Sequence, residues 1–497
     1  MVVPPLEKWL RLVTSIGALA MDSWLFGALM PLVSNWKWAS TGEITHPSGS
    51  SEPNHTAPME GDSEGGPQTS LLVGIVFFIE GALELVLAPV AGLVSDRLGF
   101  DSVILFGLLV AILQSLVFGL SSTTLGIVSV NRLLQGVIGA CLQPISIARI
   151  KDLYDQPSRE YIAVLGIAAS KICFSYFGGL FVGVVFPLIQ QRVYLLFLPV
   201  LILLSLGVLM TIRTDNVHCS HSKGKTGGSK DNCAIKPSKN NVDFWTVMCD
   251  LQIVVLTLCS FVTEISRASL EPSLAVWMQF TFRSDQSTIA HVFGLCGVSI
   301  VLGNVLGAWT LPVVFPGRSW IAATTFLSAA GLPMLFLSSC NGVVQASIAL
   351  IAHYTLASVV RLALTSMCST LASHRYPDSY GLVFAVFNAG TGGALLAGPF
   401  LSTLVFSPAC GACFLGAACV ISAPSLLLVR NLEDDVSTGL DRPAWCLPFM
   451  GKGRNLKTCD KRLVIIVTAI QVTYRIQYVQ PQLCQVESKV VLFDSFI

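Results

Sequence analysis

The sequence predicts an all-α membrane protein with twelve transmembrane helices in two six-helix bundles. Three observations predict it. Only 12% of the 497 residues are charged and 53% are hydrophobic, with a mean hydropathy of +0.70, whereas soluble domains carry about 25% charged residues. Apolar stretches long enough to cross about 30 Å of hydrocarbon recur along the chain. A polar segment, 213–243, divides them into two sets of six. The charge deficit covers most of the length, which excludes a soluble domain on a single anchor. The net charge of +1 gives no sign of a nucleic-acid partner.

The stretches lie near 12–33, 71–94, 103–121, 124–147, 161–187, 193–212, 250–279, 287–313, 320–338, 343–371, 380–406 and 408–429. The first keeps Asp22 in its middle and has no clear small-residue cleavage site after it, so it reads as a retained helix and not a signal peptide. Glycines are frequent, as in membrane helices whose backbones approach closely. Pro89, Pro187, Pro272 and Pro399 weaken the helix ladders where they fall and allow bends.

Loop charge sets the expected orientation. Lys8 and Arg11, Arg97, Arg149 with Lys151 and Arg159, the lysines of 213–243, Arg318, His374 with Arg375, and Arg430 fall on alternate connections. The opposite loops are poor in Lys and Arg, and the first of them is acidic, with Glu43, Glu52, Glu60, Asp62 and Glu64. Both termini are therefore expected in the cytoplasm. The expected divisions are a cytoplasmic N-terminus 1–11, a first bundle 12–212, a cytoplasmic linker 213–243, a second bundle 244–429 and a cytoplasmic tail 430–497. The linker is rich in Ser, Lys, Gly and Asn, a flexible composition. The tail holds an apolar run at 463–470 too short to span. Asn54 in Asn54-His55-Thr56 is a glycosylation acceptor pattern on the expected outer side. Fifteen cysteines sit mostly in apolar segments and read as small packing residues. Cys410 and Cys413 form a CxxC without a second pair, so no metal is expected.

Two short motifs punctuate the spans. "GLVSDRLG", Gly92 to Gly99, follows the second stretch, and "GAWTLPVVFPGR", Gly307 to Arg318, stands in the corresponding place after the eighth. Matching positions in two halves indicate an internal repeat. The fourth stretch holds "RLLQG", Arg132 to Gly136. These motifs resemble the cytoplasmic and fourth-helix motifs of the major facilitator superfamily. "AMDSWLFGALMPLV", "LEPSLAVWM" and "SYGLVFAVFNAGTGGALLAGP" resemble the first, seventh and eleventh helices of its drug:proton antiporter branch, which includes vesicular amine transporters and fungal exporters. The resemblance covers about 12–429. It implies the major facilitator fold, alternating access, and a gating role for Gly92, Asp96, Arg97 and Gly99, with Asp96 pairing with a base across the bundle. The chain departs from that pattern in places. Gly179 is followed by Leu180 where antiporters show Gly-Pro, Ser373 and Asn388 stand where the amine transporters carry acids, and Glu80 stands where they carry a lysine.

The charges inside the apolar stretches are the candidate site. They are Asp22, Glu80, Glu84, Arg132, Lys171, Glu264, Arg267, Glu271 and Arg361. Glu264, Arg267 and Glu271 fall within about a 60° arc of one helix, and Glu80 and Glu84 are one turn apart. Ions in hydrocarbon face the protein interior or a wet cavity and pair with one another. Asp22 is expected to bind a cationic or hydrogen-bond-donating group of the solute, and Glu271 to carry the proton with Arg267 as its partner. Lys171 is open to another role, as counter-ion for an anionic solute. The pathway set is Asp22, Glu80, Glu84, Arg132, Lys171, Glu264, Arg267, Glu271 and Asn388. No HExxH or GxxxxGK[ST] pattern occurs, so the chain is expected to be neither an enzyme nor ATP-driven, and to need no cofactor.

The expected activity is proton-coupled antiport of a small organic compound. The alternatives are a facilitator or symporter, and a membrane sensor that moves nothing. The expected partners are a small-molecule substrate, protons and the lipid bilayer, with the chain a monomer. The plasma membrane is placed ahead of vacuolar or vesicular membranes.

Overall fold

The computed structural model describes residues 5–34, 66–120, 125–154, 158–171, 173, 197–224, 244–337, 339–404 and 408–429. The linker beyond Gly224, the loop carrying Asn54, Pro187, the CxxC side chains and the tail lie outside them. Twelve helices of 11 residues or more occur among the described residues. They are α1 (Pro5–Ser34), α2 (Gly66–Leu98), α3 (Phe100–Leu120), α4 (Leu125–Asp152), α5 (Arg159–Ala169), α6 (Leu198–Gly224), α7 (Leu251–Phe282), α8 (Gln286–Val314), α9 (Ser319–Leu337), α10 (Val343–Arg375), α11 (Tyr380–Leu404) and α12 (Pro408–Ser422). A short turn of helix, Phe244–Met248, precedes α7, and a 3-10 segment, Ala423–Val429, follows α12. There is no strand among the described residues. Helix α6 runs on to Gly224, into the segment expected as linker.

The helices form because a chain in hydrocarbon satisfies its own backbone groups. Eight of the described spans are long and apolar enough to cross a membrane, in α2, α3, α4, α7, α8, α9, α10 and α11, and shorter apolar helices cover Leu198–Arg213 and Phe414–Val429. The helix ends carry ordinary stop and start chemistry. Ser158 Oγ accepts from the Tyr161 N–H at 3.1 Å, Asp250 Oδ1 from the Gln252 N–H at 2.9 Å, and Asp285 Oδ1 from the Thr288 N–H at 3.3 Å. Between α2 and α3 the chain turns at Gly99 with φ +90, a conformation that favours glycine. Outward positions such as Val86, Leu109, Leu203, Val305, Phe336 and Ile348 are exposed and apolar, as lipid-facing residues are.

Packing repeats with a period of six helices. Helix α4 packs on α1, α2 and α3, and α10 packs on α7, α8 and α9 in the same order. Helix α6 lies against α1 and α3, and α12 against α7 and α9. The two halves meet through exchanged equivalents, α2 against α11 and α5 against α8. Each half has its own apolar cluster. One joins Leu25, Ile104, Leu108, Ile138, Leu142 and Val208; the other joins Ile265, Leu274, Met334, Leu350 and Leu415.

The α2–α11 contact is made by main chain. A Cβ on Gly81 would sit on the backbone nitrogen of Leu396, and one on Gly92 would lie 2.6 Å from the Ala385 Cβ and 2.7 Å from the Gly381 oxygen. From the other side, a Cβ on Gly392 would lie 2.8 Å from the Leu85 nitrogen. Close approach of this kind maximises dispersion between helices that gain no hydrophobic attraction in lipid.

Candidate functional site

Buried charge gathers where the two halves face each other. In the first half, Asp22 on α1 is 2% exposed. Its Oδ1 accepts from Gln135 Nε2 at 2.9 Å, and the same nitrogen reaches the Asp22 carbonyl at 3.1 Å. Gln135 Oε1 in turn accepts from Gln114 Nε2 at 3.0 Å. Lys171, just beyond α5, holds its Nζ 3.9 Å from Asp22 Oδ2. That is ion-pair range but too far for a hydrogen bond. Arg132 on α4 is fully buried and donates from Nη1 to Glu80 Oε2 on α2 at 2.6 Å. Its guanidinium also lies 5.0 Å from the Phe26 ring centroid, a cation–π distance.

One turn along α2, Glu84 behaves differently. Its side chain is buried and forms no ion pair among the described residues. Its Oε1 accepts instead from Asn388 Nδ2 on α11 at 2.8 Å, across the boundary between the halves. The two carboxyls of one helix face are thus separated in role: Glu80 faces a cation in its own half, and Glu84 an amide in the other.

In the second half, Glu264 on α7 is shared by two guanidiniums. Arg267 Nε donates to its Oε2 at 2.9 Å, and Arg361 Nη1 on α10 donates to its Oε1. The side chain of Glu271 lies outside the described residues, and so does its expected pairing with Arg267. His353 is buried with its ring nitrogens on Ser266 Oγ at 2.9 Å and the Ala330 carbonyl at 2.8 Å.

These groups enclose a cavity of about 30 Å³, lined by Asp22, Glu80, Lys171, Arg267, Arg361 and Gln143 among others. A smaller one of about 20 Å³ lies on the α7–α10 side, against Glu264, Arg267, His353 and Arg361. Such volumes hold one or two waters and no organic solute, so the conformation is closed around its charges. Described side chains from both halves, and from α1, α2, α4, α7, α10 and α11, reach the larger cavity.

At one end of the α2–α11 contact, Asp96 accepts from two main-chain N–H groups, Gly381 at 2.8 Å through Oδ1 and Leu382 at 2.9 Å through Oδ2. The expectation that Asp96 meets a base across the bundle is therefore corrected in its chemistry: the partner is the N-terminus of α11. The first amides of a helix lack intrahelical acceptors and carry the positive end of its dipole. Arg97, the neighbouring motif residue, is exposed.

Two charged clusters escaped the sequence reading as sites. Arg149, 1% exposed, pairs with Asp101 at 2.6 Å and donates to Thr14 Oγ1 at 3.1 Å and Thr211 Oγ1 at 3.3 Å, which joins α1, α3, α4 and α6. In the second half Asp250 Oδ2 accepts from Arg375 Nη1 at 3.0 Å and from the Tyr376 hydroxyl at 2.9 Å. The available signal was the place of each group at a helix end, where the loop-charge argument had already absorbed the cations.

The comparisons with known proteins agree with this architecture. The profile of the Major Facilitator Superfamily matches residues 12–399. A probable vesicular acetylcholine transporter-A of Danio rerio is 25% identical over 449 residues, covering 86% of this chain and 80% of the relative. The vesicular acetylcholine transporter of Torpedo torpedo is 24% identical over 443 residues, covering 86% of this chain and 83% of the relative. Among solved structures, the human organic anion transporter MFSD10 (TETRAN) superposes with a TM-score of 0.59 at 16% identity, over 87% of this chain and 100% of that one, a likeness in fold. The protein is an integral multi-pass membrane transporter and not an enzyme. With the profile matched over 12–399 and the six-helix repeat seen in the packing, the chain belongs to the Major Facilitator Superfamily.

Proposed function

We propose that the protein is a proton-coupled antiporter of a small organic solute, working by alternating access, with Glu84 as the proton-carrying carboxyl. The observation that supports it is the Glu84–Asn388 contact. A buried carboxyl with no ion-pair partner among the described residues, bonded across the two halves at 2.8 Å, couples its charge to their separation. An unpaired ion in such a place is costly. The closed state therefore favours the group when it carries a proton, and opening toward water favours it when it does not. Antiport needs only that solute and proton cannot both be held as the halves close. Asp22, Lys171 and the guanidiniums around the shared cavity are the groups with which the solute competes.

Both relatives are vesicular transporters by name, so a vesicular membrane is the better placement and the plasma membrane loses its precedence. Both termini facing the cytoplasm, with the Asp96 end of α2 on that side, remains part of the proposal.

The test is a pH-sensitive dye sealed inside proteoliposomes of the full-length protein, with acetylcholine and benzoate as first probes. Antiport gives proton movement opposite to solute movement, and Glu84→Gln abolishes the proton movement while leaving solute exchange across equal concentrations. Solute flux with no proton movement makes the protein a facilitator and removes the proposed role of Glu84.

A further inference from the structure

We infer that the central cavity is an anion site, which takes a carboxylate of the carried solute on Lys171, Arg267 and Arg361. This rests on the transport reading above and adds the charge of the solute to it. Lys171 is the observation that carries it. An ammonium has three donors and no acceptor. This one is 4% exposed, lines the cavity, and makes no hydrogen bond among the described residues; Asp22 Oδ2 stands 3.9 Å away. A buried cation without an acceptor is unfavourable, and the space in front of it is where an acceptor fits.

The remainder of the lining agrees. Arg267 and Arg361 come from the second half and bind the same Glu264, and both also line the cavity that Lys171 lines from the first half. Cations from both halves thus converge on a space of about 30 Å³, and like charges brought together in a poorly solvated space repel. A carboxylate between them turns that repulsion into attraction, so the solute itself helps the halves to close. Guanidinium forks suit a carboxylate through paired N–H donors. The acids of the lining are already engaged: Asp22 Oδ1 accepts from Gln135, and Glu80 Oε2 accepts from Arg132. A cationic solute would have to displace one of those arrangements.

The test uses benzoate and benzylamine, which share a ring and differ in charge. The melting midpoint of the purified full-length protein in detergent is followed by tryptophan fluorescence, with no pH gradient present. Benzoate well above its dissociation constant is expected to raise the midpoint by about 2 °C, and benzylamine at the same concentration to leave it unchanged. Lys171→Gln removes the benzoate shift and Lys171→Arg keeps it. Asp22→Asn, which takes away the ion-pair partner of Lys171, enlarges the midpoint shift at the same benzoate concentration, a gain that misfolding cannot produce. A benzoate shift that is absent, or that persists in Lys171→Gln and is unmoved in Asp22→Asn, overturns the inference, as does stabilisation by benzylamine alone. Because the readout is equilibrium binding, it succeeds or fails independently of proton movement.

Discussion

Replacing Asp96 by Asn tests how the closed contact between α2 and α11 is held. The carboxylate accepts from the amides of Gly381 and Leu382 with one oxygen each, at 2.8 and 2.9 Å. Asn keeps one carbonyl acceptor, loses the other, and turns an amide NH₂ toward an N–H group. A hydrogen bond to a charged acceptor contributes about 1.5–3 kcal/mol net, and a negative charge at a helix N-terminus about 0.3–1 kcal/mol. Taking about 2 kcal/mol for the loss shifts the contact equilibrium roughly 30-fold toward the broken form, at about 1.4 kcal/mol per factor of ten. The two amides report directly, because their protection from hydrogen exchange depends on this acceptor. Exchange mass spectrometry of the protein in nanodiscs should show the peptide starting at Tyr380 exchanging about 30-fold faster in Asp96→Asn, with peptides from the middle of α9 unchanged. Equal exchange at Gly381 and Leu382 in both proteins would refute the assignment of Asp96 as the cap of α11.

Other outcomes follow from the same geometry. Gly81→Ala places a methyl against the main chain of α11, an overpacking that costs about 1–3 kcal/mol, and solute flux in proteoliposomes should fall about tenfold or more while the protein still inserts. Arg132→Met strands Glu80 in a buried site and should cost about 3–5 kcal/mol; the double variant Arg132→Met, Glu80→Gln should recover much of the melting temperature, and failure to recover would show that the pair is not the main contact of Arg132. Asp22→Asn can keep its bond from Gln135 but not its charge, so gradient-driven transport should be lost with folding and targeting intact; full retained transport removes Asp22 from the pathway. Asp101→Asn removes the negative charge that faces Arg149 at 2.6 Å and should lower the melting temperature without altering the pH profile of transport.

Much of the architecture was legible because it rests on composition. Apolar runs of membrane length are hard to mistake, and the expected stretch 287–313 differs from α8, Gln286–Val314, by one residue at each end. The presence of charge in the interior was legible too, since Glu80, Arg132, Lys171 and Glu264 stand out in apolar surroundings. Their partners were harder to read. Glu80 and Glu84 share a face of one helix and look equivalent in sequence, yet one meets a guanidinium and the other an amide 304 residues away. Nothing in the spacing on α2 distinguishes them, because the difference is made by α4 and α11. The partner of Asp96 was illegible for another reason: a main-chain amide has no letter of its own. Gln135 was visible within "RLLQG" but neutral, and a search for charges passes over the residue that orients Asp22.

The contact between α2 and α11 is defined by what its residues lack. Where side chains meet, substitution can trim as well as enlarge, and a lineage can drift in either direction. At Gly81, Gly92 and Gly392 nothing remains to be trimmed, so each single-residue replacement adds volume and pries the helices apart. Variation along this seam is therefore one-sided. It can produce forms biased toward an unsealed vestibule but none sealed more tightly, and a random screen for permanently open carriers should find its hits concentrated on these three positions.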